Sequence, residues 1–152
     1  MFVNQLTQQI ATFLESVGVP VRAGPIPDST FLPGIHIEQG ALVVDEAQLS
    51  YPGDLLHEAG HLAVMTAERR VSPNGFADDG GGEEMAAIAW SWAALSQMGL
   101  APEVVFHEGG YKGGSRSIIE NFASEHYFGV PLLQWMGLTD AGYPAMVRWL
   151  RE

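Results

Sequence analysis

The 152-residue chain contains no cysteine. This absence excludes disulfide scaffolds, cysteine-type zinc fingers, iron–sulfur clusters and thiol nucleophiles. Basic residues are also scarce, since seven Lys and Arg stand against eighteen Asp and Glu, which gives a formal charge of −11. Such a balance argues against nucleic acid as a partner and against docking on an anionic membrane surface, because both depend on cationic side chains.

Long apolar runs are missing as well. No stretch approaches the roughly 18 uninterrupted apolar residues of a membrane-spanning helix, and the N-terminal segment lacks the basic and apolar regions of a signal peptide. We therefore expect a cytoplasmic protein. Hydrophobic residues nevertheless make up 47% of the chain, which is enough to bury a core. The length then predicts a single domain over residues 1–152.

The hydrophobic pattern predicts an α+β fold that is mostly helical. Asn4 is a suitable N-cap for a first helix, and Gly18 ends it. Two short β-like runs, 35–37 and 42–44, flank Gln39-Gly40 and predict a hairpin before the central helix. Further helices are predicted at about 52–70, 83–98, 115–126, 131–136 and 144–151.

The motif that carries chemistry is His57-Glu58-Ala59-Gly60-His61. On a helix, residues four apart lie one above the other, about 6 Å apart, so both imidazoles can bind one metal ion. Glu58 is rotated by about 100° and suits a base that reaches a water on that ion. The flanking residues are apolar, and a metal ion would compensate the cost of burying the imidazoles. The alternative is two ordinary histidines on an amphipathic helix.

Gly60 interrupts this helix with a residue that costs about 1 kcal/mol relative to alanine. A glycine is tolerated there where another backbone passes close by. We expect that neighbour to be the β element before the helix.

The segment resembles the active-site helix of the zincin metallopeptidases. The metzincin branch continues with a Gly and a third His, and neither follows His61 here. The gluzincin branch takes its third ligand from a Glu on a following helix, and Glu84-Met85-Ala86-Ala87 lies 23 residues after His61. The short chain also resembles small gluzincin-like proteins of the ImmA/IrrE kind, which cleave phage or stress repressors. The resemblance covers about residues 54–95 and departs at Ile88, where many relatives carry Asn or Asp.

The resemblance implies a minimal zincin-like metallohydrolase domain with Zn²⁺ as cofactor. It implies His57, His61 and Glu84 as metal ligands and Glu58 as the general base. The implied activity is a zinc-dependent hydrolase that cleaves a peptide or protein substrate. Its oligomeric state is open.

Several assignments stay open at this point. Glu83 is almost as good a third ligand as Glu84, because both begin a stripe along the next helix. Asp78 and Asp79 are spare candidates in a glycine-rich loop. A donor to the developing oxyanion is expected among Tyr111, His107 and His126.

Two other functions compete with hydrolysis. In the first, the protein binds zinc without catalysis, as a regulatory or interaction protein with a degenerate zincin fold. That alternative predicts an enclosed ion, or a Glu58 side chain that points away from it. In the second, the chain is a metal-free helical interaction domain and the motif is a coincidence.

Overall fold

The computed structural model describes residues 1–72 and 81–152. The fold is α+β and mostly helical, with a small sheet before the central helix, so the predicted fold class is confirmed. The helices are α1 (Gln5–Val17), α2 (Asp54–Val64), α3 (Ala67–Arg70), α4 (Gly81–Met98), α5 (Ser115–Ala123) and α6 (Val130–Trp135). The strands are β1 (Val21–Ala23), β2 (Ile35–Glu38) and β3 (Ala41–Val44).

Local signals place the first helix and the hairpin where the sequence predicts them. The Asn4 side chain accepts a hydrogen bond from the Thr7 backbone N–H at 2.9 Å, and Gly18 ends α1 in the left-handed conformation. Gln39 and Gly40 both have positive φ, 50° and 83°, as a tight two-residue hairpin turn requires.

The sheet has the order β1-β3-β2. β2 pairs with β3 in antiparallel register, and β1 pairs with β3 in parallel. β1 was not predicted, because three residues are too few to show a β pattern and each pairs with a residue 21 positions away. In the strand order β1-β3-β2, β3 lies at the centre of the sheet and β2 forms one edge.

The predicted helix over 52–70 is wrong in its second half. α2 ends at Val64, Met65 is extended, and Thr66 starts the separate helix α3 by accepting a hydrogen bond from the Arg69 N–H. The predicted helix over 144–151 is also wrong. This tail is irregular and packs against the helices, with the Arg151 N–H donating to the Ala63 carbonyl at 2.9 Å.

α2 and α4 cross closely and form the centre of the core. A Cβ atom on Gly60 would lie 2.8 Å from the Ala87 carbonyl oxygen of α4. The expectation that the β element is the neighbour of Gly60 is therefore wrong, although the close backbone contact that the glycine indicates is present. Ser91 donates to the Ala87 carbonyl at 2.9 Å and approaches the Leu56 carbonyl at 3.2 Å, so it links the two helices.

Two arginines satisfy the carbonyl groups at the end of α2. Arg70 donates to the carbonyls of Leu62 and Met65, at 2.8 and 2.9 Å, and also to the Arg151 carbonyl. Arg151 in turn donates to the Val64 carbonyl at 3.1 Å. The carbonyls left open at the end of a helix are thereby paired, and α2 is tied to the C-terminal tail.

Within residues 1–72 and 81–152, no helix is both long enough and apolar enough to cross a membrane.

Candidate metal centre

The two motif histidines lie on one face of α2, as the spacing predicts. Their ring centroids are 5.3 Å apart. His57, Glu58 and His61 each offer a ligand atom, and these atoms all lie within 4.8 Å of one another. This group could therefore hold a metal ion.

A second carboxylate reaches the same histidines from the first turn of α4. Glu84 Oε2 lies 3.1 Å from His61 Nε2, and Glu84 Oε1 lies 3.9 Å from His57 Nε2. Glu83 turns away and forms a two-pronged ion pair with Arg69. The geometry thus favours Glu84 over Glu83 as an added ligand, and the assignment stays a prediction.

Asp78 and Asp79, the spare candidates, lie outside the described residues.

The donor set fits a divalent ion of the zinc type. His57 Nε2 is buried and has no hydrogen-bond partner among the described residues, which is a costly state for a polar atom. A metal ion between this nitrogen, His61 and a carboxylate would remove that cost. Imidazole nitrogen and carboxylate oxygen are both common zinc ligands.

Burial shifts the protonation of these groups. It raises the pKa of Glu58 to about 7, a value near which a carboxyl group can both accept and release a proton at neutral pH. Burial, helped by the neighbouring His61, lowers the pKa of His57 to about 4, so its imidazole is neutral. The hydrogen bond with His61 holds the pKa of Glu84 below its ordinary value. A neutral imidazole and an ionised carboxylate are the forms that bind metal.

Of the three candidate oxyanion donors, Tyr111 lies beside the histidines. Its ring centroid is 4.7 Å from that of His57 and 5.2 Å from that of Phe106. Burial raises the pKa of Tyr111 well above its usual value, so its hydroxyl stays protonated at neutral pH. His107 is engaged with Asp54, and the His126 side chain is exposed.

The sequence interpretation missed how the Tyr111 loop is anchored. His107 Nε2 lies 2.7 Å from the buried carboxylate of Asp54, and Tyr51 stacks on the His107 ring with centroids 3.6 Å apart. The hydroxyl of Ser115, the first residue of α5, donates to the His107 carbonyl at 2.7 Å. From the sequence, Asp54 is recognisable only as an acidic residue that suits the N-terminal end of a helix. Its pairing with His107 is not visible there, because the two residues are 53 positions apart.

The candidate centre opens into a cleft of about 430 Å³. Glu58, His61 and Glu84 line it on the side of the helices, and β2 lines it on the side of the sheet. Phe31, from the loop before β2, also lines this cleft. No sequence signal marks this phenylalanine, because the surrounding segment reads only as a proline-rich loop.

Comparisons with family models, with curated proteins and with solved structures found no match to the chain. The resemblance to the zincins therefore stays a prediction based on the motif and on Glu84.

Proposed function

We propose that the protein is a zinc-dependent peptidase. The observation that carries this proposal is the meeting of His57, His61 and Glu84 beside a cleft that His61, Glu84 and Glu58 line. His57 and His61 would hold the ion through imidazole nitrogens, and Glu84 would hold it through its carboxylate. When bound, zinc supplies Lewis acidity and lowers the pKa of a coordinated water to about 7.

The side chains of the chain supply the proton transfers. Glu58 accepts a proton from the attacking water and passes it to the departing amine. This task suits a carboxyl group with a pKa of about 7. Tyr111 keeps its phenolic proton and donates a hydrogen bond to the oxygen on which negative charge develops. The water consumed divides between a new carboxyl group and a new amine.

The edge of the sheet supports a peptide as substrate. The Asp45 N–H donates to the Gly34 carbonyl at 2.9 Å, and His36 is paired with Val43 in the antiparallel register. Because hydrogen-bonded pairs alternate along such a ladder, Ile37 turns its own N–H and C=O toward the outer edge of β2, along which no further described strand lies. An extended peptide can add to such an edge as a further strand.

The non-catalytic alternative receives less support from this geometry. It expects either an enclosed ion or a Glu58 side chain turned away from it. Instead, Glu58 and His61 both line the cleft, and Glu58 has a carboxylate oxygen within 4.8 Å of a nitrogen of each histidine. These features support hydrolysis over a purely structural metal site.

Metal analysis and one substitution test the proposal. Protein purified without chelator should contain one zinc per chain, and absence of stoichiometric zinc would overturn the metal claim. The zinc-loaded protein should hydrolyse members of a mixed peptide library, as read by mass spectrometry. Glu58→Gln should reduce this hydrolysis at least roughly a hundredfold while zinc content is kept. Hydrolysis that survives this change would rule out Glu58 as the base.

A further inference from the structure

The cleft has two chemically different halves. The polar half contains Glu58, His61 and Glu84 of the candidate metal centre together with Arg69 and Glu83. Ser29, Thr30 and His36 add polar groups on the side of the sheet. The apolar half is formed by four hydrophobic side chains that come from three separate segments: Phe31, Ile35, Ile37 and Met65. Single exposed apolar residues are common on proteins, but several that line one concave surface indicate a binding site.

Phe31 is the most exposed member of this apolar half. Its relative exposure is 82%, although Ile35 and Met65 beside the same cleft are buried. An aromatic ring in this position leaves a large apolar area in water, and a ligand that covers it gains the corresponding hydrophobic free energy. The exposed ring therefore favours an apolar ligand group.

The charges around the cleft disfavour an acidic ligand group. Three carboxyl groups line the polar half, those of Glu58, Glu83 and Glu84. Arg69 is the arginine of this lining, and both of its terminal nitrogens bind Glu83. Three carboxyl groups and an arginine already paired with Glu83 disfavour an acidic side chain in this half of the cleft, so electrostatics and packing point to the same ligand class.

The positions of the two halves relate the apolar surface to the reacting bond. Met65 is the C-cap of α2 and follows His61 by four residues, which places their Cα atoms about 6 Å apart along the helix. Successive residues of an extended peptide advance about 3.3 Å, so this distance corresponds to about two residues. A peptide residue opposite Ile37 on the free edge would direct its side chain to the same face as Ile37.

We propose that the apolar half binds a large apolar side chain, such as that of Phe, Leu, Ile or Met, within about two residues of the cleaved bond. Cleavage next to the apolar residue rests on the proposed function, whereas binding of the apolar side chain does not. The protein is then selective for peptides with an apolar residue next to the cleavage point.

Paired probes with the same metal-binding group test the proposal. Leucine hydroxamate and glycine hydroxamate differ only in the side chain, and their binding to zinc-loaded protein is measured by calorimetry. We expect leucine hydroxamate to bind about tenfold more tightly to the wild type. Phe31→Ala should remove most of this preference, whereas Trp135→Ala, a control aromatic that is 74% exposed on α6, should keep it. Equal binding of both probes to the wild type would overturn the inference.

A second measurement separates this inference from the proposed function. In chelator-treated protein, N-acetyl-leucine amide should shift the methyl NMR signals of Ile35 and Ile37 more than N-acetyl-glycine amide does. If zinc fails to bind but this difference is present, the proposed function is wrong and the apolar site stands. If zinc binds and the two amides give equal shifts, the apolar site is wrong and the metal centre stands.

Discussion

Glu84 Oε2 lies 3.1 Å from His61 Nε2, although the two residues are 23 positions apart in the chain. The crossing of α2 and α4 at Gly60 makes this approach possible, because a larger side chain would meet the Ala87 carbonyl. The adjacent residue Glu83 faces Arg69 instead. Two neighbouring glutamates thus have different partners, and each offers a control for the other.

Zinc should stabilise the protein through Glu84 but not through Glu83. At a free zinc concentration a hundredfold above its dissociation constant, we expect about 2.7 kcal/mol of stabilisation. Glu84→Gln should weaken zinc binding by at least about tenfold, because it removes a ligand charge. Glu83→Gln should leave zinc affinity nearly unchanged. Thermal unfolding with and without zinc measures both, and equal effects of the two variants would contradict the assignment of Glu84.

Glu58→Gln should make the metal-free protein more stable near neutral pH. The pKa of Glu58 is about 7 in the folded protein and 4.5 as the ordinary value. Between these values the folded state holds a proton that the unfolded state has lost, so stability falls as pH rises. The difference between the two pKa values corresponds to a loss of about 3 kcal/mol of stability once Glu58 is fully ionised. Glutamine does not ionise, so Glu58→Gln removes this loss.

His57 gives the unfolding free energy of the same metal-free protein the opposite dependence on pH. Its pKa is about 4 in the folded state and 6.5 ordinarily, so stability rises between these values. The effects of Glu58 and His57 on stability largely offset each other in the wild type. In Glu58→Gln only the effect of His57 remains, so stability should rise with pH. Urea unfolding of chelator-treated protein from pH 4.5 to 7.5 tests this. Glu103→Gln, at an exposed position, is the control, and an equal profile for both variants would refute the prediction.

Gly60→Ala should destabilise the protein by about 1–3 kcal/mol. Alanine is the better helix former by about 1 kcal/mol, but its Cβ would lie 2.8 Å from the Ala87 carbonyl and 3.2 Å from Ser91 Oγ. The helices must separate, which should also weaken zinc binding. Gly24→Ala is the control, since its Cβ would meet only ordinary contact at 3.6 Å. An unchanged or raised unfolding free energy for Gly60→Ala would exclude this close crossing.

Arg70→Ala should destabilise the protein by about 2–3 kcal/mol. The change removes hydrogen bonds to the carbonyls of Leu62, Met65 and Arg151 and leaves them without that donor. Arg148→Ala removes only a surface pair with Glu152 and should cost less than about 1 kcal/mol. Chemical unfolding compares the two, and similar losses would contradict the role of Arg70 at the end of α2.

Tyr111→Phe should separate zinc binding from catalysis. The ring stays against His57, so zinc affinity should change less than about threefold, while loss of the hydroxyl should lower kcat roughly a hundredfold or more. Single-turnover peptide hydrolysis and zinc titration measure the two effects. Tyr127→Phe is a matched control that should keep full activity, because the Tyr127 ring packs against Phe122 and Tyr143. An unimpaired Tyr111→Phe protein would exclude the hydroxyl as the donor.

The sequence alone determined the features that depend on neighbouring residues. The spacing of His57 and His61 places both imidazoles on one helical face, and Asn4 and the turn at Gln39-Gly40 act within a few residues. Helical periodicity and positive-φ turns are local properties, so their patterns are visible in the chain itself.

Only the tertiary structure decided which distant groups meet. The partners of Glu83 and Glu84, the position of Tyr111 beside His57 and the place of Phe31 in the cleft all depend on packing between remote segments. Sequence periodicity distinguishes the buried face of a helix from its exposed face, but the contacts across that face are fixed by the angle and distance at which helices cross. For this reason the metal-binding motif could be predicted from the chain, whereas its surroundings could not.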